Sequence, residues 1–380
     1  VIMSWADDAL TALEVVGRRR HVRALRPLGP TSVSWSGRAI RLFSGNDYLG
    51  LSAHPAVKEA MVRASEAVGM GPRGSALICG YTEDHERLEN TLARLKETDA
   101  SLLFPTGYAA NLGVLTALGS DDTTFFSDAL NHASIIDGCR LAHGSVSVYR
   151  HRDVAHLAEL LASSQATRKV VVTDAVFSME GTLAPLEDIA AVARAHGALL
   201  VTDEAHATLV YGDQGGGLVS LLGLSDQVDF QVGTLSKAVG ALGGYVATSR
   251  ANRELLLNTA RSYIFSTALP IVVVAGAQAA IDLASSDPSF RNALWDRVGT
   301  LAEGLDTRLD GPIASIVLGD ERAAVDGSVR LLEAGFHVSA IRPPTVPPGT
   351  SRLRIALSAA HTDADVHDLL AVLRTCEVLG

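Results

Sequence analysis

Between Leu102 and Val246 short apolar and β-branched runs alternate with amphipathic stretches, and no other feature of the 380 residues restricts the fold as tightly. Runs at 101–104, 123–127, 145–149, 169–175, 199–203, 230–234 and 244–248 predict strands. The segments between them at 108–118, 133–142, 154–162 and 186–196 carry a helical period, and Pro185 suits the first turn of the last. Strands joined through helices require crossover connections, so the expected class is α/β, with a mostly parallel central sheet covered by helices on both faces. After an apolar helix at 268–284 the pattern changes. A helical stretch at 288–309, strands at 313–318, 337–341 and 353–357, and helices at 322–334 and 363–373 predict a smaller C-terminal α+β domain. The expected division is 1–45 as an N-terminal helix and short strand segment, 46–285 as the large domain, and 286–380 as the small one.

Hydrophobic residues are 47 % and charged residues 19 %, which excludes disordered and fibrous classes. The net charge of −10 argues against a nucleic-acid partner, which needs a basic face. Arg18, Arg19, Arg20, Arg23 and Arg26 make a local basic run, read as the solvated side of a first helix with one arginine available to a substrate anion. Cys79, Cys139 and Cys376 are odd in number and lack metal or redox spacing, so a reducing compartment is expected. The apolar stretch 268–284 contains Pro270, Gln278 and Asp282 and is shorter than the roughly 20 residues of a membrane span. No secretory pattern appears in residues 1–10. A cytoplasmic setting is expected, and because residue 1 is Val, an organelle reached through a removed targeting segment stays open.

Chemistry concentrates in Asp203-Glu204-Ala205-His206 and, one strand later, Thr234-Leu235-Ser236-Lys237. Asp203 follows the apolar run 198–201, which places a carboxylate at the C-terminal end of a buried strand, where open parallel sheets bind ligands. A carboxylate there can hold a heteroaromatic nitrogen protonated, and a lysine in apolar surroundings can form a Schiff base, the wiring of a pyridoxal-phosphate site. The alternative is structural, with Asp203 as a helix cap and His206 as a core residue. A metal reading lacks further ligands at suitable spacing. Thr106-Gly107-Tyr108 opens a helix and offers amides and a dipole end to a phosphate, or an ordinary cap. His132 precedes another helix, suited either to stacking on a flat ring and acid work or to capping. Gly69-Met70-Gly71-Pro72-Arg73-Gly74 matches a dinucleotide fingerprint but follows a helix, so it fails that motif's context. Arg354, in a strand-like stretch, suits a carboxylate clamp or an ion pair.

Together the segments 43–50, 131–134, 176–181, 203–206 and 233–237 resemble the α-oxoamine synthases, pyridoxal-phosphate enzymes of fold type I that join an amino acid to an acyl thioester with loss of CO2. The resemblance runs from about Trp5 to the last helix. Segment 340–347, which contains Thr345, is most similar to the members that use L-alanine and a pimeloyl thioester in biotin biosynthesis. Members acylating glycine from acetyl-CoA, members making sphingoid bases, and non-catalytic partner subunits are the alternatives. The resemblance implies that Lys237 carries pyridoxal 5'-phosphate as a Schiff base, that Asp203 pairs with the pyridine nitrogen, and that His206 pairs with the phenolic oxygen. It implies His132 stacked on the ring and Ser178 near the ring oxygen. Gly107, Tyr108, Thr234 and Ser236 would surround the phosphate, and Ser266 and Thr267 would reach it from a second subunit of a homodimer with shared active sites. Arg23, Asn46, Thr345 and Arg354 would bind substrate. Against the family's usual glycine loop, Pro72 removes one amide donor. The chain is also short between Leu309 and Ile313, which predicts a strand of the small domain clipped or absent.

Overall fold

The computed structural model describes residues 4–16, 18–20 and 22–376, which form two compact units. The larger comprises 47–178 and 182–292; the smaller gathers described residues within 1–46, 179–181 and 293–380.

The larger unit is built on seven strands: β1 (Ala100–Phe104), β2 (Thr123–Asp128), β3 (Ser145–Tyr149), β4 (Arg168–Asp174), β5 (Leu199–Asp203), β6 (Phe230–Thr234) and β7 (Gly244–Thr248). Their spatial order is β1-β7-β6-β5-β4-β2-β3. Pairings among β2 to β6 are parallel, whereas β7 runs antiparallel to both β1 and β6. Val170, Val171 and Val172 of β4 are completely buried, as a strand covered on both faces demands. Each contributes roughly 1.5–3 kcal/mol by leaving water. One face packs on helices Gly107–Leu118 and Ala133–Leu141 through Val114, Leu115, Leu118 and Ile135. The apolar stretch near 270 forms helix Ile271–Ser286, and among the described residues no helix is long and apolar enough to cross a membrane.

Two side chains of the larger unit make a buried ion pair directly behind β5. Lys96 and Glu204 are fully enclosed with Nζ and Oε2 2.5 Å apart. Lys96 also donates to the Gly216 carbonyl at 2.8 Å, and Glu204 Oε1 accepts the Val219 amide at 2.9 Å. A Cβ on Gly217 would collide with the Glu204 carboxylate, and its φ of +102° suits glycine alone.

In the smaller unit, Arg26–Gly29, Ser32–Trp35 and Arg38–Leu42 form an antiparallel ribbon to which Phe336–His337 adds in parallel. Segments expected to stand apart, 1–45 and 286–380, thus share one sheet. A second sheet pairs Ile313–Gly319, Ser351–Ala356 and Ser339–Ile341, so the short connection before Ile313 still leaves a strand there. The strand expected at 337–341 is interrupted at Val338, where a fully buried side chain separates two short strands serving different sheets. The first helix, Trp5–Val15, ends before the arginine run that was expected to lie on it. The Arg18 and Arg19 amides both bond back to the Leu13 carbonyl, so the chain has left the helical ladder before the run begins. Arg18 instead pairs with Glu321 at 3.2 Å and Arg19 with Glu14 at 3.0 Å.

Replacing Lys96 by Met strands a buried carboxylate and should cost about 3–5 kcal/mol in urea denaturation. Lys96→Met combined with Glu204→Gln should recover most of that loss; equal losses in the single and double variants would show that the ion pair is not the cause.

Candidate active site

The C-terminal ends of β4, β5 and β6 open onto a cavity of about 230 Å³ within the larger unit. It is lined by Gly107, Tyr108, His132, Ser178, Asp203, His206, Thr234, Ser236 and Lys237, together with Thr106, Ser134, Asp174 and Ala205.

Asp203 ends β5 and is 6 % exposed. One oxygen accepts from Asn111 Nδ2 at 2.6 Å and the other from the Ala205 amide at 2.8 Å. Asn111 lies four residues after Gly107, on the same helix face, and also donates to Ser134 Oγ at 2.9 Å. His206 is held from behind by Tyr48, whose hydroxyl sits 2.6 Å from Nδ1.

Helix Gly107–Leu118 begins at the cavity with Thr106 as its cap, the side chain accepting the Ala109 amide at 3.0 Å. The first amides of a helix lie outside its own ladder, and with the dipole they form an anion site. β7 approaches this turn so closely that a Cβ on Gly244 would overlap the Thr106 carbonyl oxygen. Thr234 and Ser236 hydroxyls, 2.8 Å apart, stand beside it, and a Cβ on Gly107 would lie 3.1 Å from Thr234 Cβ. Tyr108 is braced by donating its hydroxyl to Asp137.

His132 caps helix Ala133–Leu141, and its Nδ1 accepts the Ser134 amide at 3.2 Å. The accepting role at Nδ1 places the proton on Nε2. Burial pushes the His132 pKa below its ordinary value; nearby Asp203 opposes the shift and Lys237 reinforces it. The His132 amide donates to Asp174 Oδ2 at 2.7 Å. Asp174 ends β4 directly opposite Asp203 in the register. Burial first, and the Asp203 carboxylate second, raise its pKa well above the usual range.

Asp174 and Asn111 are absent from the residues picked out by sequence, where Thr106 stands in the helix-opening motif and Tyr48 and Ser134 lie within segments 43–50 and 131–134 without a role of their own. A signal existed for Asp174, which ends its apolar run as Asp203 ends its own. Asn111 is one polar residue in the apolar helix GYAANLGVLTAL.

Ser266 and Thr267 do not line this cavity. They border a separate small one with Tyr81, His85 and Glu89, where Thr267 bridges Ser75. The substrate candidates belong to the smaller unit. Arg354, 5 % exposed, donates to Asn46 Oδ1 at 3.2 Å. Arg352, two residues before it, makes an ion pair with Glu180 at 2.8 Å. Arg23 is exposed with its guanidinium 5.4 Å from the Trp35 ring centroid, and Thr345 is exposed in a turn closed by its amide on the Arg342 carbonyl. Among the described residues no group of acidic, histidine or cysteine side chains is arranged for a metal ion.

A strand-end carboxylate held by two donors, a lysine, a neutral imidazole and a helix N-terminus around one cavity suit a flat ring carrying a basic nitrogen and a phosphate. These residues fit pyridoxal 5'-phosphate, and with the sheet around them they define a fold type I site for it. Residues 40–373 match the model of aminotransferase class I and II, and the chain belongs to that family. It is similar to the 8-amino-7-oxononanoate synthase of Arabidopsis thaliana, 47 % identical over 357 residues covering 89 % of this chain and 75 % of the relative. Its similarity to the Anaeromyxobacter dehalogenans 8-amino-7-oxononanoate synthase is 47 % over 380 residues, covering 98 % and 95 %. Among solved structures, a Sphingomonas wittichii serine palmitoyltransferase matches with a TM-score of 0.94, 32 % identity and 100 % of both chains. A Francisella tularensis 8-amino-7-oxononanoate synthase matches with a TM-score of 0.76, 27 % identity, 88 % of this chain and 97 % of the other.

Folding raises the Asp174 pKa, so its contribution to stability is full below about pH 4 and is lost as pH rises through the folded value. Asp174→Asn keeps an acceptor for the His132 amide and has no proton to lose. Relative to wild type, this variant should gain stability steadily above about pH 4 in urea denaturation of the cofactor-free protein. A difference that is flat or falls with pH contradicts a proton held by Asp174.

Proposed function

We propose that this chain joins L-alanine to a pimeloyl thioester, releasing CO2 and the free thiol carrier and producing 8-amino-7-oxononanoate for biotin biosynthesis. The observation that carries this reading is 47 % identity across nearly the whole chain to synthases of that product. Pyridoxal 5'-phosphate, when bound, supplies an electrophilic carbon for an amine and a ring that spreads negative charge from the amino acid's α-carbon.

Asp203 holds a proton on the ring nitrogen, and its anchoring by Asn111 and Ala205 lets it act without reorganisation. His206 orients the ring through its phenolic oxygen, with Ser178 beside it. The amides of Gly107 and Tyr108 and the hydroxyls of Thr234 and Ser236 bind the phosphate. Lys237 would tether the cofactor, and with alanine bound its Nζ would take the α-proton as general base. The proton on His132 Nε2 is available to the thioester carbonyl oxygen, where charge builds as the new carbon–carbon bond forms and the thiolate leaves. CO2 then departs from the β-keto acid, and the α-carbon regains a proton from Lys237 Nζ. Arg354, with Asn46, is the proposed partner of the alanine carboxylate, and Arg23 and Thr345 complete substrate binding.

The working unit is proposed to be a homodimer in which Ser266 and Thr267 of one copy serve the phosphate site of the other. This is supported by their position away from the Lys237 cavity of their own chain. Three unpaired cysteines support a reducing, cytoplasmic setting.

The full-length likeness to a serine palmitoyltransferase favours a second reading, condensation with a long-chain acyl thioester to a sphingoid base. Turnover of alanine, glycine and serine against pimeloyl, acetyl and palmitoyl thioesters separates the readings. Alanine with the pimeloyl donor should exceed every other pair at least tenfold in kcat/KM, about 1.4 kcal/mol of transition-state preference. A clear advantage for serine with palmitoyl-CoA, or glycine with acetyl-CoA, rejects the assignment. Lys237→Ala should abolish turnover.

A further inference from the structure

Tyr48 is completely buried in the larger unit and is not among the residues lining the cavity, yet its hydroxyl meets the side chain of one that is. The Tyr48 oxygen and His206 Nδ1 are 2.6 Å apart, with ring centroids 5.9 Å apart and planes inclined by 49°. His206 is itself 6 % exposed.

A neutral imidazole has one protonated nitrogen and one acceptor, and the partner at the first decides what the second can do. A phenol is a good donor, because its O–H is acidic, and a weak acceptor, because its lone pair is shared with the ring. Against an sp² nitrogen at 2.6 Å the favoured arrangement is donation from the Tyr48 hydroxyl to Nδ1. The proton of His206 then resides on Nε2. A buried histidine held the other way, with Nδ1 protonated, would present a lone pair at Nε2 and repel an anionic oxygen.

We propose that Tyr48 is a positioning residue that fixes His206 as its Nε2-protonated tautomer, so that His206 donates a hydrogen bond to the anionic ring oxygen of the bound cofactor. This rests on the placement of that oxygen beside His206 in the function proposed above. Donation to the oxygen withdraws negative charge from it, and a less negative oxygen holds the proton that it shares with the Lys237 nitrogen less tightly. Tyr48 therefore lowers the pH at which the bound cofactor loses that proton. Asp174, Asp203, His132 and Lys237 line the same cavity and are unchanged when the Tyr48 hydroxyl is removed. A comparison of wild type with Tyr48→Phe isolates the hydroxyl.

Two measurements test the proposal. In cofactor-free protein labelled with 15N-histidine, with His206 assigned by its disappearance in His206→Gln, the wild-type ring should be protonated on Nε2 and that bias should weaken in Tyr48→Phe. A wild-type His206 protonated on Nδ1 overturns the proposal, even if the variant does not fold. In protein loaded with pyridoxal phosphate, the pH midpoint of the visible absorbance should rise by roughly one unit in Tyr48→Phe, the scale of one charge-assisted hydrogen bond partly lost. Retained absorbance with an unmoved midpoint also overturns it. Wild-type protein that takes up no cofactor would defeat the reading of the cavity itself, while the nitrogen shifts of His206 still decide the role of Tyr48.

Discussion

A carboxylate withdrawn from water survives only where donors replace its hydration, and the arrangement around Asp203 follows from that demand. Its two oxygens are taken up by Asn111 and the Ala205 amide. A hydrogen bond to a charged group contributes about 1.5–3 kcal/mol, and losing one leaves the cost of the buried charge exposed. Helix Gly107–Leu118 must therefore lie where Asn111 can reach, which brings the start of that helix to the cavity. The turn through Ala205 carries the chain to His206. One acid thus ties together groups suited to the nitrogen, the oxygen and the phosphate of a single cofactor.

Two carboxylates meet side by side at the ends of β4 and β5, and they do different work. Asp203 is clothed with donors. Asp174 is pushed by burial toward its neutral form, while one oxygen fixes the His132 backbone. His132 is also pushed toward neutrality by burial. In the proposed function the ring is positive at its nitrogen, and an uncharged imidazole could lie against it where a charged one would oppose it.

Much of the larger unit was legible because its strands are short apolar runs bounded by helical periods. The runs at 145–149, 199–203, 230–234 and 244–248 coincide with the strands that form. Legibility failed where a residue's role depends on a partner far along the chain. Asn111 reads as a polar intrusion in an apolar helix until Asp203, 92 residues away, is beside it. Tyr48 and His206 are separated by 158 residues. In the smaller unit Val338 divides what reads as one strand, because the two sheets on either side compete for its flanks. The arginines near residue 20 read as a helix face by charge alone, but charge does not fix where a helix ends, and this one stops at Val15.

The reversed strand β7 has a temporal consequence. Residues 244–248 supply the link between residues 100–104 and the rest of the sheet, so β1 gains its neighbour only after more than a third of the polypeptide has been made beyond it. Closing such a loop is entropically expensive and favours late arrival. Because Gly244 also seats against Thr106, the turn proposed to bind the phosphate is assembled in the same event that completes the sheet. A partly folded intermediate with the parallel strands already paired would lack this cradle, and capture of the vitamin would then follow, and reward, the final stitch of the fold.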